Sequence, residues 1–455
     1  MLEIQIAGAG AGKTHELAQT IIKHINTIND HKVIFALTYT NSATEKIYSE
    51  ILKSLGYIPN NVVIETVHSF LLNKIIYPFS FYILGDKYNN CSTISLKDEK
   101  NSYKGQKIKR LKLKNIIHSE KIYNISKQII DENNRKHSNK EKKAKVRFIL
   151  DLLQAKIAKI FIDEVQDLDS DGLETFNIIA KKCSDVYMIG DPKQAIKYSN
   201  ALIDFIRKVE SETYVILHPI NNVTRRVPSE ILAISNRFCY PNQKQNSINQ
   251  NKGILKYLES THPQFIKIIH EYIKKHIVCI DKKQGRYSTS KHIKVTFPDF
   301  IEEKIKAYPS KLDKNLLVKA AHIDFLEEIQ QSNIEKAIQD LQAKYSFRLK
   351  EAEYAEFSSQ FSKNPKNIFN ISSIDSIKGL DSDSCVIILS LNIYNYLIQN
   401  NLPQKNKFNK VWKQVYVALT RAKQELIIVI DHELLEKENI DAMKIELEKL
   451  GFVPY

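Results

Sequence analysis

The chain has 455 residues, of which 43% are hydrophobic and 26% charged, a composition typical of a globular protein with two or three domains. Lys and Arg outnumber Asp and Glu by 67 to 52, which gives a formal net charge of +15. No apolar run reaches the roughly 18 residues of a membrane-spanning helix, no signal-peptide pattern opens the chain, and the five cysteines contain no CxxC pair. These features argue against membrane, secreted and zinc-finger proteins, so we expect a cytoplasmic protein without a membrane partner.

Short apolar runs that alternate with helix-like patterns recur along the chain and predict an α/β fold with parallel sheets. The first set predicts strands at 4–7, 32–37, 62–65, 159–162, 186–189 and 214–217, with helices at 42–54 and 172–182. A second set predicts strands of a second α/β unit at 293–297, 316–319, 386–389 and 426–430. The polar segment 241–253 is expected to be a loop, and 335–360 and 440–452 have helical spacing.

Positive charge is concentrated in residues 97–147, which contain 17 Lys and Arg against 6 Asp and Glu and so carry +11 of the total +15. Clustered cations gain affinity for nucleic acid by releasing its counterions. A solvated surface helix, a membrane surface or an acidic partner would account for the same charge.

A glycine-rich segment, AGAGAGKT, follows the first predicted strand and opens a helix. Backbone N–H groups at such a helix start cradle phosphates, and a lysine there reaches the β- and γ-phosphates while a hydroxyl ligates Mg²⁺. Only the first glycine of the usual pattern is replaced, by alanine. The candidate nucleotide-binding residues are Ala7, Gly8, Ala9, Gly10, Ala11, Gly12, Lys13 and Thr14.

An acidic segment, Asp163-Glu164-Val165-Gln166-Asp167, follows the apolar strand that ends at Ile162. Asp163 is expected to hold Mg²⁺ together with Thr14, and Glu164 is expected to orient and deprotonate the attacking water. Together with the glycine-rich loop, this pattern predicts hydrolysis of a nucleoside triphosphate.

Eight segments, in this order, resemble the motifs of the UvrD-like superfamily 1A helicases: 7–14, 35–47, 66–70, 161–167, 189–196, 224–232, 373–381 and 415–426. The resemblance implies a P-loop NTPase with two RecA-like domains in tandem, a small basic helical insertion in the first and a reduced insertion in the second. The implied bounds are 1–70 and 146–212 for the first domain, 71–145 for its insertion, 213–331 and 368–455 for the second domain, and 332–367 for a vestigial insertion.

The same resemblance implies roles for single residues. Gln194 would sense the γ-phosphate, Arg226 and Arg421 would reach it from the second domain, and these three would act in catalysis with Glu164. Gly379 would lie at the nucleotide. The residues expected at nucleic acid are Thr40, Asn41, His68, Tyr198 and Ser373.

Four positions depart from the family pattern. Arg225 stands where the family has an aromatic residue that stacks on adenine, Ser199 where it has a base-stacking tryptophan, Asp375 where it has a histidine, and Asp381 where it has a glutamate. Tyr198 lies beside Ser199 and would substitute for the missing stacking ring. An acid at residue 375 would repel a phosphate backbone unless it is paired.

These features imply an ATP-dependent DNA helicase or translocase that uses Mg²⁺ and moves 3′→5′ on single-stranded or forked DNA. A rival function keeps the ATPase without the motor. In that case the chain would be a DNA- or nucleotide-sensing subunit that activates a partner nuclease, of the kind found in the Gabija antiphage system. A non-catalytic scaffold is disfavoured by the presence of Lys13, Glu164, Gln194 and Arg421.

Overall fold

The computed structural model describes residues 1–25, 31–96, 101–134, 139–289, 297–310, 313–331, 334–362, 369–399 and 410–455. Two six-stranded parallel sheets, each covered by helices, form two α/β lobes, as expected for two RecA-like domains. Among the described residues, no helix has both the length and the apolar character needed to cross a bilayer.

The first lobe and its insertion occupy the first half of the chain. Their elements are β1 (Leu2–Ile6), α1 (Lys13–Ile25), β2 (Val33–Thr38), α2 (Asn41–Leu55), β3 (Val62–Thr66), α3 (Val67–Phe70), α4 (Tyr77–Leu84), β4 (Asn90–Ser92), α5 (Asn101–Leu113), β5 (Ile116–His118), α6 (Ile122–Ile130), α7 (Lys140–Lys156), β6 (Ile157–Ile162), α8 (Ser170–Lys182), β7 (Asp185–Gly190), α9 (Ala201–Val209) and β8 (Val215–Leu217). The sheet order is β3-β2-β6-β7-β1-β8, so all six strands predicted for the first unit are confirmed.

The position of β8 corrects one expected boundary. This strand pairs in parallel with β1, Leu2 lying opposite Val215, so the first lobe extends beyond residue 212. The reason is geometric, because β1 would otherwise leave its N–H and C=O groups unpaired along one edge.

The insertion of the first lobe is helical and shares the core of that lobe. The π-helical segment Leu71–Ile76 and the inner face of α6 pack into the same hydrophobic cluster as α8 and the sheet. Helix α7 runs without a break across residue 145 and leads directly into β6. The insertion is therefore held rigidly to the lobe.

The second lobe is built from the remaining strands and the helices between them. Its elements are β9 (Val223–Thr224), α10 (Ser229–Ser235), β10 (Asn246–Ser247), β11 (Ile254–Glu259), α11 (Phe265–Lys275), β12 (Ile277–Ile280), β13 (Tyr287–Ser288), α12 (Asp299–Lys306), α13 (Lys314–Gln331), α14 (Ile334–Lys344), α15 (Glu351–Ser362), β14 (Phe369–Asn370), β15 (Ser372–Ser373), β16 (Ser382–Ile388), α16 (Leu391–Leu397), α17 (Lys410–Leu419), β17 (Ala422–Ile430), α18 (Ile440–Lys449) and β18 (Val453–Pro454). The sheet order is β15-β12-β16-β17-β11-β18.

The predicted strand at 316–319 is wrong, and this error changes the second insertion. These residues lie in α13, which with α12, α14 and α15 encloses a separate hydrophobic cluster around Phe325, Ile338 and Phe357. The second insertion is therefore a four-helix unit that begins well before residue 332 and is larger than predicted. The strand predicted at 293–297 falls almost wholly outside the described residues.

Candidate nucleotide-binding cleft

The glycine-rich loop joins β1 to α1 and faces the second lobe. Gly10 and Gly12 have φ angles of 72° and 84°, values that side chains rarely tolerate and that turn the loop over the start of α1. The Lys13 ammonium is folded back onto the loop and donates to the carbonyl oxygens of Ala7 and Gly8 at 3.4 and 3.3 Å. It therefore lies where an incoming phosphate would compete for its protons.

The two acidic candidates follow β6 and meet the loop. The Thr14 hydroxyl donates to Asp163 Oδ2 at 3.0 Å, so the two oxygens expected to hold Mg²⁺ are adjacent. Burial, followed by the neighbouring Glu164, raises the pKa of Asp163 to about 6. Burial and the Glu164 carboxylate thus disfavour the ionised form of Asp163, and a divalent cation bound beside it would favour that form.

Glu164 adopts a left-handed backbone, with φ 54° and ψ 39°. Its carboxylate accepts a hydrogen bond from the Gln166 amide. Burial favours the neutral acid, but Lys13 and then Lys378 outweigh it, and the pKa of Glu164 lies below its ordinary value. A base for the attacking water has to be ionised, and this residue meets that condition.

A buried polar network lies beyond the end of β7. Asp191 contacts the Lys193 ammonium at 2.9 Å and accepts from Gln194 Nε2 at 3.0 Å, and both Asp191 and Lys193 are fully buried. Gln194 in turn accepts from Arg421 Nη2 at 3.3 Å. The expected γ-phosphate sensor is thus bonded to one of the two arginines across the cleft.

The two candidate arginines come from the second lobe. Arg421 is 1% exposed, and burial, with a contribution from nearby Arg226, lowers its pKa to about 10. It donates to the carbonyl oxygens of Val417 and Leu380 at 2.9 and 3.0 Å. Arg226 is held by an ion pair with Asp381 at 3.0 Å. Both side chains are therefore positioned by their own lobe before any ligand arrives.

Residues of both lobes line one cavity of about 460 Å³. Its wall comprises Gly10, Ala11, Gly12, Lys13, Thr14, His15, Lys46, Ser49, Glu50 and Glu164, with Gln194, Arg226, Gly379, Asp381 and Arg421 opposite or beside them. The backbone oxygen of Gly379 accepts from Lys46 at 3.3 Å. All the expected catalytic residues therefore meet at one site, while Ala7, Gly8 and Ala9 form the back of the loop.

Sequence reasoning missed Lys378, which precedes Gly379 in the second lobe. Its ammonium forms an ion pair with Asp167 and lies 3.7 Å from Glu164 Oε2. The only available signal was its place in the segment 373–381, because nothing local marks a lysine that pairs across a cleft. Lys378 links the second lobe directly to the acidic segment.

A second missed group joins the lobes behind the glycine-rich loop. The Tyr416 hydroxyl accepts the Ala9 N–H at 3.3 Å and lies 3.1 Å from Asp191 Oδ2 and 2.9 Å from Gln245 Oε1. Gln245 Nε2 donates to the Ala9 oxygen at 3.0 Å. Gln245 lies in the segment expected to be a mere loop.

The residues expected at nucleic acid do not all present free polar groups. Thr40 caps α2 by accepting from the Ala43 N–H at 3.2 Å, and Asn41 begins that helix with an exposed side chain. The His68 ring lies 5.1 Å from the ring of Tyr123. Lys197 lies over the Tyr198 ring at 4.9 Å.

Ser373, the fifth residue of this set, ends β15 in the second lobe, and its carbonyl accepts from Ser376 Oγ at 2.7 Å. Four of the five therefore lie on the first lobe and one on the second.

The four departures from the family pattern have structural partners. Asp375 is paired with Lys410 at 2.6 Å and accepts from the Gln414 amide, so its charge is balanced. Asp381 pairs with Arg226 and with Lys423, each at 3.0 Å. The Ser199 carbonyl accepts from the buried Lys413 ammonium of the second lobe. The Arg225 N–H donates to the Gly10 oxygen at 3.0 Å, while its side chain is exposed.

Comparison with known proteins finds one family model and two relatives by sequence. A family model described as an AAA domain matches residues 2–200. Gabija protein GajB of Bacillus cereus (strain VD045) is 30% identical over 201 residues, which is 42% of this chain and 36% of that protein. ATP-dependent DNA helicase Rep of Buchnera aphidicola subsp. Acyrthosiphon pisum (strain APS) is 26% identical over 373 residues, which is 69% of this chain and 57% of that protein.

Among solved structures, the complex of Arterivirus nonstructural protein 10 (helicase) with DNA aligns with 98% of this chain and 63% of its own, at 11% identity and a TM-score of 0.38. The chain spans about a third and just over half of the lengths of the two curated relatives. The resemblance predicted from the motifs is confirmed by the sequence relatives.

Proposed function

We propose that this chain, which resembles the UvrD-like superfamily 1 helicases, hydrolyses ATP between its two lobes and uses the change in lobe contact to move 3′→5′ along single-stranded DNA. The observation that carries the proposal is the meeting of Lys13, Glu164 and Gln194 with Arg226 and Arg421 around one cavity. The five cysteines are all free thiols, which suits a reducing cytoplasm.

In this proposal, the loop N–H groups and Lys13 bind the phosphates, and Thr14 and Asp163 hold Mg²⁺, which when bound neutralises phosphate charge. Glu164 accepts the proton of the attacking water. Arg226 and Arg421 stabilise the charge that develops on the transferred group, the main catalytic term in such transfers.

Contacts across the cleft offer a route from hydrolysis to movement. Gln194 bonds to Arg421, and Lys378 pairs with Asp167 and approaches Glu164. The γ-phosphate would be bound by residues of both lobes, so its loss would break contacts on both sides of the cleft at once. The balance between the direct contacts of the two lobes would then change. The residues expected to contact single-stranded DNA lie on both lobes. A change in the relative position of the lobes would therefore move the DNA contacts of the first lobe relative to that of the second.

The first test is ATP hydrolysis by the purified chain, with and without single-stranded DNA, beside Glu164→Gln. We expect DNA to stimulate hydrolysis and Glu164→Gln to reduce kcat by about 100-fold or more, because a general base contributes at least that factor. ATP binding, measured separately, should persist in the variant. Undiminished hydrolysis by Glu164→Gln would refute the assigned base.

A second candidate function is a sensing ATPase that activates a partner nuclease in antiphage defence. It is favoured by Ser199, which offers no stacking ring and whose carbonyl is already occupied by Lys413. The similarity to GajB agrees with it. Hydrolysis indifferent to DNA, with no directional movement on a single strand, would favour this function over the motor.

A further inference from the structure

A second cavity lies inside the insertion of the first lobe and shares no residue with the nucleotide cleft. It has a volume of about 330 Å³, within the range of roughly 300–1,000 Å³ that small ligands occupy. The end of α4, the C-terminal half of α5, strand β5, helix α6 and the start of α7 enclose it.

One wall of this cavity is apolar. Leu84, Ile108, Ile117 and Ile125 contribute aliphatic side chains from four different elements, and Ile117 is only 2% exposed. A surface of this kind favours the flat, weakly polar face of an aromatic ring.

The rim of the cavity is cationic. Lys112, Lys121 and Lys142 line it, and the one carboxylate among its lining residues, Asp86, pairs with Lys112 at 2.8 Å. The three lysines therefore leave an excess of two positive charges. In the described part of the chain, no carboxylate forms an ion pair with Lys121 or Lys142, and such a rim attracts a dianion.

Helix α6 relates the cavity to the rest of the lobe. Asn124 and Gln128 line the cavity, and their amides bond to each other at 2.5 Å, while the Asn124 amide also donates to Asp171 at 2.8 Å. The adjacent residue Tyr123 turns the other way, and its ring lies against His68. Helix α6 thus separates this cavity from the surface around His68, where single-stranded DNA is expected to bind.

We propose that this cavity binds a phosphorylated nucleotide, with the base against the apolar wall and the phosphate between Lys121 and Lys142. The apolar wall matches the base of such a ligand, and the cationic rim matches its phosphate. The bound nucleotide would be either a free mononucleotide or the phosphorylated terminal nucleotide of a DNA strand. The inference does not depend on ATP hydrolysis in the cleft.

The test uses 2-aminopurine nucleoside monophosphate, titrated into the full chain and followed by its fluorescence. Lys121→Glu with Lys142→Glu should weaken binding by about tenfold or more, since each lysine supplies a charge-assisted hydrogen bond. The matched control, Lys109→Glu with Lys114→Glu, makes the same charge change on exposed residues outside the cavity and should stay within about twofold of the original chain. Lys13→Ala removes a phosphate ligand of the cleft, so the part of the binding that depends on Lys121 and Lys142 should persist in this variant, which assigns that part to the cavity.

A variant that fills the cavity, Ile108→Trp, should lower nucleotide affinity in the same way, and thermal unfolding should show that each variant is folded. Equal binding by the rim variant and its control would overturn the proposal, as would loss of the rim-dependent binding in Lys13→Ala. Competition by inorganic phosphate as strong as that by the nucleotide would overturn the assigned ligand.

The source of the ligand is decided with single strands that carry a terminal phosphate at either end or none. A rim-dependent preference for a phosphorylated strand assigns the cavity to strand ends. Binding of the free nucleotide without that preference assigns it to a free mononucleotide.

Discussion

At the scale of single residues, Glu164 combines a left-handed backbone with a carboxylate held from two sides. A non-glycine residue in the left-handed region costs about 1–3 kcal/mol unless its surroundings fix it. Here the Gln166 amide and the positive charge of Lys378 hold its carboxylate. The position of the expected base therefore depends on a cation from the other lobe.

Replacing Lys378 by Gln should lower kcat by about tenfold or more with a smaller change in KM, because the cation acts on the base rather than on the bound phosphates. Loss of the positive charge raises the pKa of Glu164, so the acid limb of the pH–rate profile should move to higher pH. Steady-state kinetics across pH check both effects. Lys378→Arg should recover part of the activity, and Lys423→Gln, which removes a partly exposed partner of Asp381 in the same lobe, should have little effect. An unshifted profile in Lys378→Gln would contradict this role.

His68 should make the folded state sensitive to acid. Burial, with a smaller effect of Lys197, lowers its pKa to about 4, whereas an unfolded chain takes up the proton near pH 6.5. Because the unfolded state binds more protons between these values, stability falls as pH drops from 6.5 towards 4. Urea unfolding at pH 7 and 4.5 should show a loss about 2 kcal/mol larger for the original chain than for His68→Phe. Equal losses would refute this assignment.

At the scale of elements, the sequence predicts the first sheet well and the second poorly. Strands of the first lobe are apolar runs bounded by turn residues, and each follows or precedes a clear helix. Strand β12 was missed because its four residues, IVCI, directly follow α11 and cannot be told from one more helical turn. The strand predicted at 316–319 is wrong because an apolar run in a helix was taken for a strand. The buried residues Leu317, Val318, Ala321 and Phe325 follow helical spacing.

The residues of the cleft likewise divide into those that the sequence predicts and those that it does not. Lys13, Thr14, Asp163 and Glu164 lie in short segments whose local pattern implies their chemistry. Lys378, Tyr416 and Gln245 act through partners that lie far away in sequence, such as Ala9 for Tyr416. Tertiary packing creates these contacts, and no spacing along the chain encodes them.

The four-helix unit of the second lobe should unfold locally, because its cluster is separate from both sheets. Ile338→Ala removes a fully buried side chain and should destabilise this unit by about 2–4 kcal/mol. Hydrogen exchange should become faster in α12–α15, while ATP hydrolysis stays near its original rate. Ile323→Ala, at a site 57% exposed on α13, is the matched control and should change neither. Exchange that rises throughout both lobes would show that the unit is not independent.

At the scale of the whole molecule, the lobes meet through specific polar contacts on both sides of the cavity. Arg421 reaches Gln194 and Lys378 reaches Asp167 at the front. Tyr416 reaches Ala9 at the back. The nucleotide loop thus belongs to the interface between the lobes as much as to the first lobe.

Tyr416→Phe should loosen this interface without creating a cavity. The change leaves the Ala9 N–H, Asp191 and Gln245 without a shared buried partner, at a cost of about 1–3 kcal/mol for each group left unsatisfied. Small-angle scattering of the variant without nucleotide should give a larger radius of gyration than that of the original chain. Phe238→Leu, a change in the same core cluster that leaves the polar network intact, should keep the radius unchanged. Identical radii for Tyr416→Phe and the original chain would contradict the proposed role of the hydroxyl.

The close packing at Gly10 has a mechanical consequence. A Cβ atom there would lie 2.5 Å from Thr224 Oγ1 and 2.6 Å from Arg226 Cβ, so the second lobe rests directly on the loop. A small rotation of the second lobe about this contact would move each of its atoms in proportion to the distance of that atom from the loop. The largest displacements are therefore expected at the outer ends of the lobes, farthest from the bound phosphates.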